Sequence, residues 1–553
     1  EAPYTKGGIE KSSKNLIAFA KTELLDEMDG DSYKQQLTLS FKAGDMKSYD
    51  AYDKNQNGFK GYELEKGDYH LYLSRDSHHP YSEENTITYK IADTEKLEKD
   101  EKTGYTVENR FTGENCEGGV EIDGKNTNQD ITYLSREDFK GTMTEITSTR
   151  RTKDEKIVKL GDNYKLPYKD TDTMPSQGVK GDLKLYDDDG ELNKDLILKL
   201  GKDYNDEEWD NLLDQLTVKE LNLVVEGAGY RTPALPSIGK PAINDLDGPS
   251  GLNDTNMTIE SKASWTSFPV ETVMAQTFNE KLAYMYGLCV GKEANDTKVG
   301  GWYAPAVNIH RSPFDGRNFE YFSEDPYLSG IMGARITKGA INNGLYCYVK
   351  HFAVNETEYN RSGLYTWLSE QALRETYLKP FEICVKKGNA NAIMSSFNRI
   401  GATWSGGSYA LLTEILRNEW GFKGSVVTDY STGGNYMNVD QGIRAGNDCW
   451  LNGSRADTVT GHNDKTSATA VSCAREAAHN VLFTYCNTVY IQSNYNAEED
   501  GSQFTVKLSG KKSGMAKPYW LIAPISLDVL VVVGVSVWSY FLFRKKKPEE
   551  EKK

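Results

Sequence analysis

The chain has 553 residues and carries 81 acidic against 65 basic side chains, a formal net charge of −16. That length calls for roughly two to four domains, and that charge argues against a nucleic-acid partner. Its seven cysteines include no CxxC pair and no zinc spacing, so buried free thiols are expected rather than a disulfide framework.

In chain order, residues 1–140 predict a small β domain. Gln36–Phe41, Tyr69–Leu73 and Asn85–Ile91 alternate with period two, and Gly67-Asp68 and the stretch from Gly44 to Gly58 supply turn chemistry. The opening Glu-Ala-Pro-Tyr-Thr-Lys-Gly-Gly has neither the basic nor the apolar region of a signal peptide. Residues 141–204 are charged and turn-rich and predict a connecting segment. Asp187-Asp188-Asp189-Gly190 lacks the spacing of a calcium loop and reads as a solvated turn.

From 205 to 490, apolar runs that end in polar residues alternate with amphipathic stretches. The runs end at Asp247, near Asn308 and His310, at Lys350-His351, at Ser395–Asn398 and at Asp429; a further one begins at Ala445–Asp448. Between them lie Asn279–Glu293, Ser329–Asn342, Leu368–Lys387 and Tyr409–Trp420. This rhythm predicts one (β/α)8 barrel of TIM type. An open doubly wound sheet is the alternative, but no GxGxxG loop follows any of the runs. Residues 491–518 read as a juxtamembrane linker. Leu521–Phe543 is apolar, with Tyr519-Trp520 before it and Arg544–Lys547 after it. The expectation is a transmembrane helix over 519–544 and a cytoplasmic tail over 545–553, so a single pass through the cell membrane with the barrel outside. Asp528 within the run costs about 2.5–3.5 kcal/mol at mid-bilayer.

Strand ends in a barrel face one mouth, where Asp247, Arg317, Lys350, His351, Asn398 and Asp429 would meet. A carboxylate ringed by cations, an imidazole and an amide suits a neutral polyhydroxy ligand, and a nearby cation would keep Asp429 ionised, as a nucleophile requires. On spacing alone two alternatives stay open: Asp429 as a helix cap or turn residue, and Arg317 and Lys350 as counter-ions of buried carboxylates.

Asn308-Ile-His-Arg-Ser-Pro-Phe-Asp-Gly-Arg-Asn-Phe-Glu-Tyr-Phe-Ser-Glu-Asp-Pro326 resembles the signature of glycoside hydrolase family 3, the β-glucosidase family. Asp247–Gly251, Lys350–Ala353, Met394–Asn398 and Gly421–Tyr430 resemble it in the same order. The resemblance implies a barrel enzyme that uses Asp429 as the retaining nucleophile and binds a terminal β-linked sugar through Asp247, Arg317, Lys350 and His351. Asn398 belongs to the fourth of these motifs, and Tyr430 stands where the family usually has Trp; both are expected to contact substrate. No metal and no cofactor is implied. The Lys350-His-Phe-Ala-Val-Asn-Glu segment differs from the KHFPGHG loop of the N-acetylhexosaminide-cleaving subgroup. Ala2–Ser12 and Gly61–His70 resemble later strands of the family's fibronectin type III-like domain, here placed before the barrel as in the permuted branch, so residues 1–140 are expected to be part of that domain. The α/β sandwich that carries the acid/base in many members has no counterpart here, and an acid/base upstream of residue 1 is expected. Glu320, Glu324 and Glu356 are the alternatives within the barrel. The opposing readings are a catalytically weak, membrane-anchored carbohydrate-binding protein and a phosphorylase. Glucose, xylose and related equatorial glycones satisfy the same donors, and oligomeric state is not read from the sequence.

Overall fold

The computed structural model describes residues 1–22, 35–111, 170–254, 265–431, 436–452 and 463–496, apart from 83, 85 and 228, together with short strands at 121–122 and 125–126. In the amino-terminal part, β1 (Ser48–Asp50), β2 (Gly61–Leu64) and β5 (Glu95–Leu97) form an antiparallel sheet. β3 (Gly67–Leu71) and β4 (Ile87–Ile91) form a hairpin, and β6 (Glu121–Ile122) pairs with β7 (Lys125–Asn126). The strand expected at 36–41 is not formed. Its alternate apolar residues, Leu37, Leu39 and Phe41, are all exposed, and with no partner strand the period-two pattern has nothing to pack on. Asp187 accepts from the backbone of Asp189 and Glu191, a closed turn as expected.

Three helices, α1 (Lys194–Lys202), α2 (Glu208–Asp214) and α3 (Val218–Glu226), lead into the barrel. Thr217 caps α3 reciprocally with Glu220, which fixes its start. The staves follow as β8 (Arg231–Thr232), β9 (Ile243–Asp247), β10 (Val299–Tyr303), β11 (Tyr346–Phe352), β13 (Ala392–Ser395) and β16 (Ser425–Val427), in the sheet order β16-β13-β11-β10-β9-β8. β9, β10, β11, β13 and β16 are parallel, and their crossovers carry α4 (Glu271–Gln276), α5 (Glu280–Asp296), α6 (Pro326–Asn342), α7 (Lys379–Lys387) and a π-wound helix at Ala410–Glu419. A small sheet of β12 (Tyr365–Thr366), β14 (Arg399–Ile400) and β15 (Thr403–Trp404) lies in the loops beyond β11 and β13. α8 (Val439–Ala445) follows β16, and α9 (Ala468–Asn494) closes the described part.

The barrel departs from the expected eight parallel strands. β8 runs antiparallel to β9, pairing Arg231 with Asn244 and Thr232 with Ile243. Only residues 233–242 join the two strands, and Pro233, Pro236 and Pro241 stand among them. A parallel return needs a crossover of about a dozen residues or more, usually helical. Beyond β16, a single parallel bridge from Val427 to Cys449 supplies the next stave, and Trp450 N–H donates to the Val225 carbonyl at the end of α3. Among the described residues no eighth strand forms. Gly424 permits the tight entry to β16: it holds φ at 139°, and a Cβ there would stand 2.0 Å from the Asn391 carbonyl oxygen.

The expected transmembrane helix does not stand. Among the described residues no helix is long and apolar enough to cross a membrane; residues 519–544, on which it was placed, lie outside them. That run contains Pro524, which removes a helical hydrogen bond, as well as Asp528. The fold class is corrected to the barrel with its amino-terminal strands, and the membrane partner and single-pass cell-membrane localisation that rested on the helix are not supported.

The amino-terminal strands are tied to the barrel through buried charge. Arg374 donates to Glu370 (2.8 Å) and to both oxygens of Glu419 (2.7 and 3.1 Å), and its guanidinium lies 4.8 Å from the Tyr49 ring. Glu370 in turn accepts from Arg110 N–H and Phe111 N–H, and Arg374 also donates to the Glu108 carbonyl. All three side chains are buried, so the network is favourable only because each charge is met.

Candidate active site

Asp247 is the last residue of β9, and Lys350 and His351 lie within β11, close to its carboxyl end. Asp429 stands two residues past β16. Parallel register brings these strand ends to one side of the sheet, where barrels carry their chemistry. Arg317 comes from the β10–α6 loop, at the cap of a short 3-10 turn over Asn318–Glu320.

The side chains form one connected set. Lys350 Nζ donates to the Gly248 carbonyl (3.1 Å) and to Asp247 Oδ1 (3.5 Å), and lies 3.8 Å from Glu320 Oε2. Arg317 donates through Nε and Nη2 to Glu320 and through Nη2 to His351 Nε2 at 3.0 Å. Burial opposes the Arg317 charge, but the Glu320 carboxylate outweighs it and holds the guanidinium protonated. An acceptor at Nε2 places the His351 proton on Nδ1, which faces Asn308 Oδ1 at 3.3 Å. Burial, then Arg317, Lys350 and Arg361, push the His351 pKa well down. The ring is neutral, and its 3.8 Å contact with Asp429 Oδ2 is not an ion pair.

Asp429 is 7% exposed. Oδ1 accepts from Tyr430 N–H at 2.7 Å, whereas Oδ2 is buried without a hydrogen-bond partner. Burial raises the pKa of Asp429, opposed by Arg317 first, then the Tyr430 N–H, Arg361 and Lys350. The set is thus an anionic oxygen held ready but unsatisfied, faced by cations that are themselves anchored: Arg317 by Glu320, Lys350 by Asp247, and Arg361 by Glu358 at 3.1 Å.

Two of the expected site residues stand apart from the hydrogen-bonded set. Asn398 turns its amide N–H to Thr366 (3.1 Å) and to the Arg399 carbonyl (3.3 Å), bracing β12 and β14, and leaves its buried Oδ1 without a partner. Tyr430 joins through its backbone only; its ring is 36% exposed, tilted against Tyr230 at 6.2 Å.

Three groups escaped the sequence reading of the site. Asn308 holds the backbone N–H of His351 (2.7 Å) and donates to the His351 carbonyl (3.1 Å) and to Glu356 (3.0 Å). Arg361 faces Asp429 electrostatically, and Glu358 pairs with both Arg361 and Arg317. Asn308 opens the motif that ends at Pro326, and Glu358 and Arg361 follow Lys350-His351 closely, which is the signal that marks them. Of the alternative acids, Glu320 is buried between two cations, Glu324 makes no hydrogen bond or ion pair with the set, and Glu356 is buried behind Asn308, its pKa raised by burial to about 7.

The fold and site define a mostly parallel α/β barrel with a desolvated carboxylate at its carboxyl-terminal mouth, within reach of fixed cations. Residues 253–460 match the family model described as the glycosyl hydrolase family 3 N terminal domain. Beta-glucosidase A of Butyrivibrio fibrisolvens is 34% identical over 454 residues, which cover 80% of this chain and 50% of the relative. A beta-glucosidase of Ruminococcus albus is 39% identical over 236 residues, 40% of this chain and 24% of the relative. Among solved structures, a beta-glucosidase from Paenibacillus barengoltzii aligns with a TM-score of 0.61 at 28% identity, covering 88% of this chain and 50% of that one. The likeness to glycoside hydrolase family 3 thus lies in the barrel, over residues 253–460. It spans half or less of the length of these relatives.

Proposed function

We propose that the chain is the barrel-bearing part of a retaining β-glycosidase, β-glucosidase-like, that hydrolyses terminal non-reducing β-linked sugars. The observation that carries this reading is Asp429 Oδ2, buried, unpartnered and 3.8 Å from a neutral His351. In this reading Asp429 attacks the anomeric carbon through an oxocarbenium-like transition state. The glycosidic oxygen leaves with a proton from a general acid, and water then releases the sugar from the glycosyl-enzyme with retention. Asp247, Arg317, Lys350 and His351 take the glycone hydroxyls; Asn398 Oδ1 and the Tyr430 ring are proposed as further contacts. The names of the relatives, all beta-glucosidases, support the substrate class.

The general acid is proposed to be a residue other than Glu320, whose carboxylate is already taken up by Arg317 and Lys350. A residue outside this chain is the proposed source. Lacking that acid, the chain would act on aryl glycosides with good leaving groups and barely on cellobiose, since general acid help is worth about 10²–10⁴-fold.

The test is trapping with a 2-deoxy-2-fluoro β-glucoside followed by peptide mass spectrometry. A label on Asp429, lost in Asp429→Asn, supports the assignment; a label on another residue overturns it. Inversion of anomeric configuration in the product would overturn the retaining mechanism.

A further inference from the structure

β1 and β2 are joined by a loop that reads Asp53-Lys-Asn55-Gln-Asn57-Gly58-Phe59. Oxygen-bearing side chains recur at every second position and a glycine follows, the order of the first six positions of a calcium loop. Gly58 takes φ of 74°, and Asp53 accepts from the backbone N–H of Asn57 (2.8 Å) and of Gly58 (3.1 Å), so the loop curls about the Asp53 carboxylate.

Two more carboxylates come from the flanking strands. Asp50 and Glu63 are both 0% exposed. Asp50 accepts from Tyr52 N–H (3.0 Å) and Asn55 N–H (3.3 Å). Glu63 faces the loop: its Oε2 accepts from the side-chain amides of Asn55 (2.7 Å) and Asn57 (2.8 Å). Its Oε1 is buried and has no hydrogen-bond partner. Glu63 lies one residue short of the twelfth position that closes a calcium loop of ordinary length, and Asp50 adds a carboxylate from before the first.

The lysines around these strands do not pair with the three carboxylates. Lys11 pairs with Glu65, Lys42 with Glu101, and Lys96 donates to the Asn57 carbonyl. No ion pair among the described residues meets Asp50, Asp53 or Glu63. Acidic oxygens are therefore gathered here, those of Asp50 and Glu63 buried, with no ion pair to any of the three carboxylates. No cluster of three or more Asp, Glu, His or Cys that could hold a metal occurs among the described residues, so a cation here needs the amide and carbonyl oxygens as well. An all-oxygen set of mixed charge is a hard-cation set.

We propose that Asp50, Asp53, Asn55, Asn57 and Glu63, with the Phe59 carbonyl, bind one Ca²⁺. The Asn55 and Asn57 amides rotate to present oxygen to the ion, giving up their N–H bonds to Glu63, and Glu63 Oε1 gains the partner it lacks. Ca²⁺ is favoured over Mg²⁺, because an irregular loop set tolerates its longer and more variable bonds, whereas Mg²⁺ requires near-octahedral ligands.

The full chain, stripped with EDTA and returned to buffer, is titrated calorimetrically with CaCl₂ and, in parallel, MgCl₂. One Ca²⁺ per chain is expected, with Kd between about 10⁻⁵ and 10⁻³ M and Mg²⁺ at least about tenfold weaker. Asp53→Asn and Glu63→Gln each weaken Ca²⁺ binding about tenfold or more, while Asp187→Asn in the solvated turn leaves it unchanged. Asp53 is only half-buried, so its variant folds even if the one at Glu63 does not. Folded wild-type protein that gives no heat and no rise in Tm with about 5 mM Ca²⁺ overturns the proposal, as does an Asp53→Asn variant that binds like wild type.

Discussion

Replacing Asn308 with Ala removes the side chain on which His351 hangs. Four buried groups lose their partner at once: the His351 N–H, Nδ1–H and carbonyl, and Glu356 Oε1. At about 1 kcal/mol each, the low end for an unsatisfied buried group, the loss is about 4 kcal/mol. A water entering the vacated space recovers part of that, so a loss of about 3 kcal/mol in unfolding free energy is expected. The catalytic effect is separate and geometric. His351 braces Arg317 at 3.0 Å, and Arg317 is the largest charge opposing burial at Asp429. A displacement of an ångström in such a group costs about 10²-fold in rate. Urea unfolding gives the first quantity, and nitrophenyl β-glucoside kinetics, with kcat and KM separated, give the second. Asn308→Asp is the control: it keeps the acceptor for both His351 donors but sets a carboxylate against Glu356. A variant Asn308→Ala that loses less than about 1 kcal/mol and keeps kcat within about twofold refutes the positioning role.

Because burial raises the pKa of Asp429, the acid limb of kcat/KM should lie above the ordinary Asp value of about 3.9, and Arg317→Met should move it to still higher pH; a pH–rate profile of both proteins checks this. Glu356, raised to about 7, adds stability that is whole below its unfolded pKa of about 4.3 and is lost as pH rises through 7; Glu356→Gln should therefore flatten the stability profile between about pH 4.5 and 7 by roughly 3 kcal/mol, read by urea unfolding at each pH. Arg374→Leu strands Glu370 and Glu419 in the interior and should cost about 3–5 kcal/mol, whereas an Arg374→Leu, Glu370→Gln, Glu419→Gln triple variant should recover much of it in the same assay.

The parts of the site that the sequence exposes are those where one residue does one job. An apolar run that stops at a polar residue marks a strand end, and barrel topology then brings Asp247, Lys350, His351 and Asp429 together, as observed. Asn308 was less legible because its task is to hold the backbone of a residue forty-three positions away, a relation that no local pattern encodes. Asn398 looked equivalent to the other strand-end residues, yet its amide N–H is taken up by neighbouring loop strands. The reversed β8 was encoded after all, in three prolines and a connection too short for a helix, but the alternation of helix and strand masked it. The pattern at 36–41 misled because alternation without a partner strand does not define a sheet.

The Arg374 junction bears on how a gene for this protein can be cut. Expression of the barrel alone, starting near residue 205, would discard Tyr49, Glu108, Arg110 and Phe111. Glu370 would lose two backbone donors, and Arg374 a carbonyl and the aromatic face beneath it. Lys386 would lose Asp100, and the Glu419 carbonyl would lose the Thr103 hydroxyl. Such a fragment carries every proposed active-site residue and yet bares a charged seam on the outer helices of the barrel. The amino-terminal strands therefore serve as its outer wall, and recombination that swaps them for a foreign β domain succeeds only where the newcomer supplies equivalent donors along that seam.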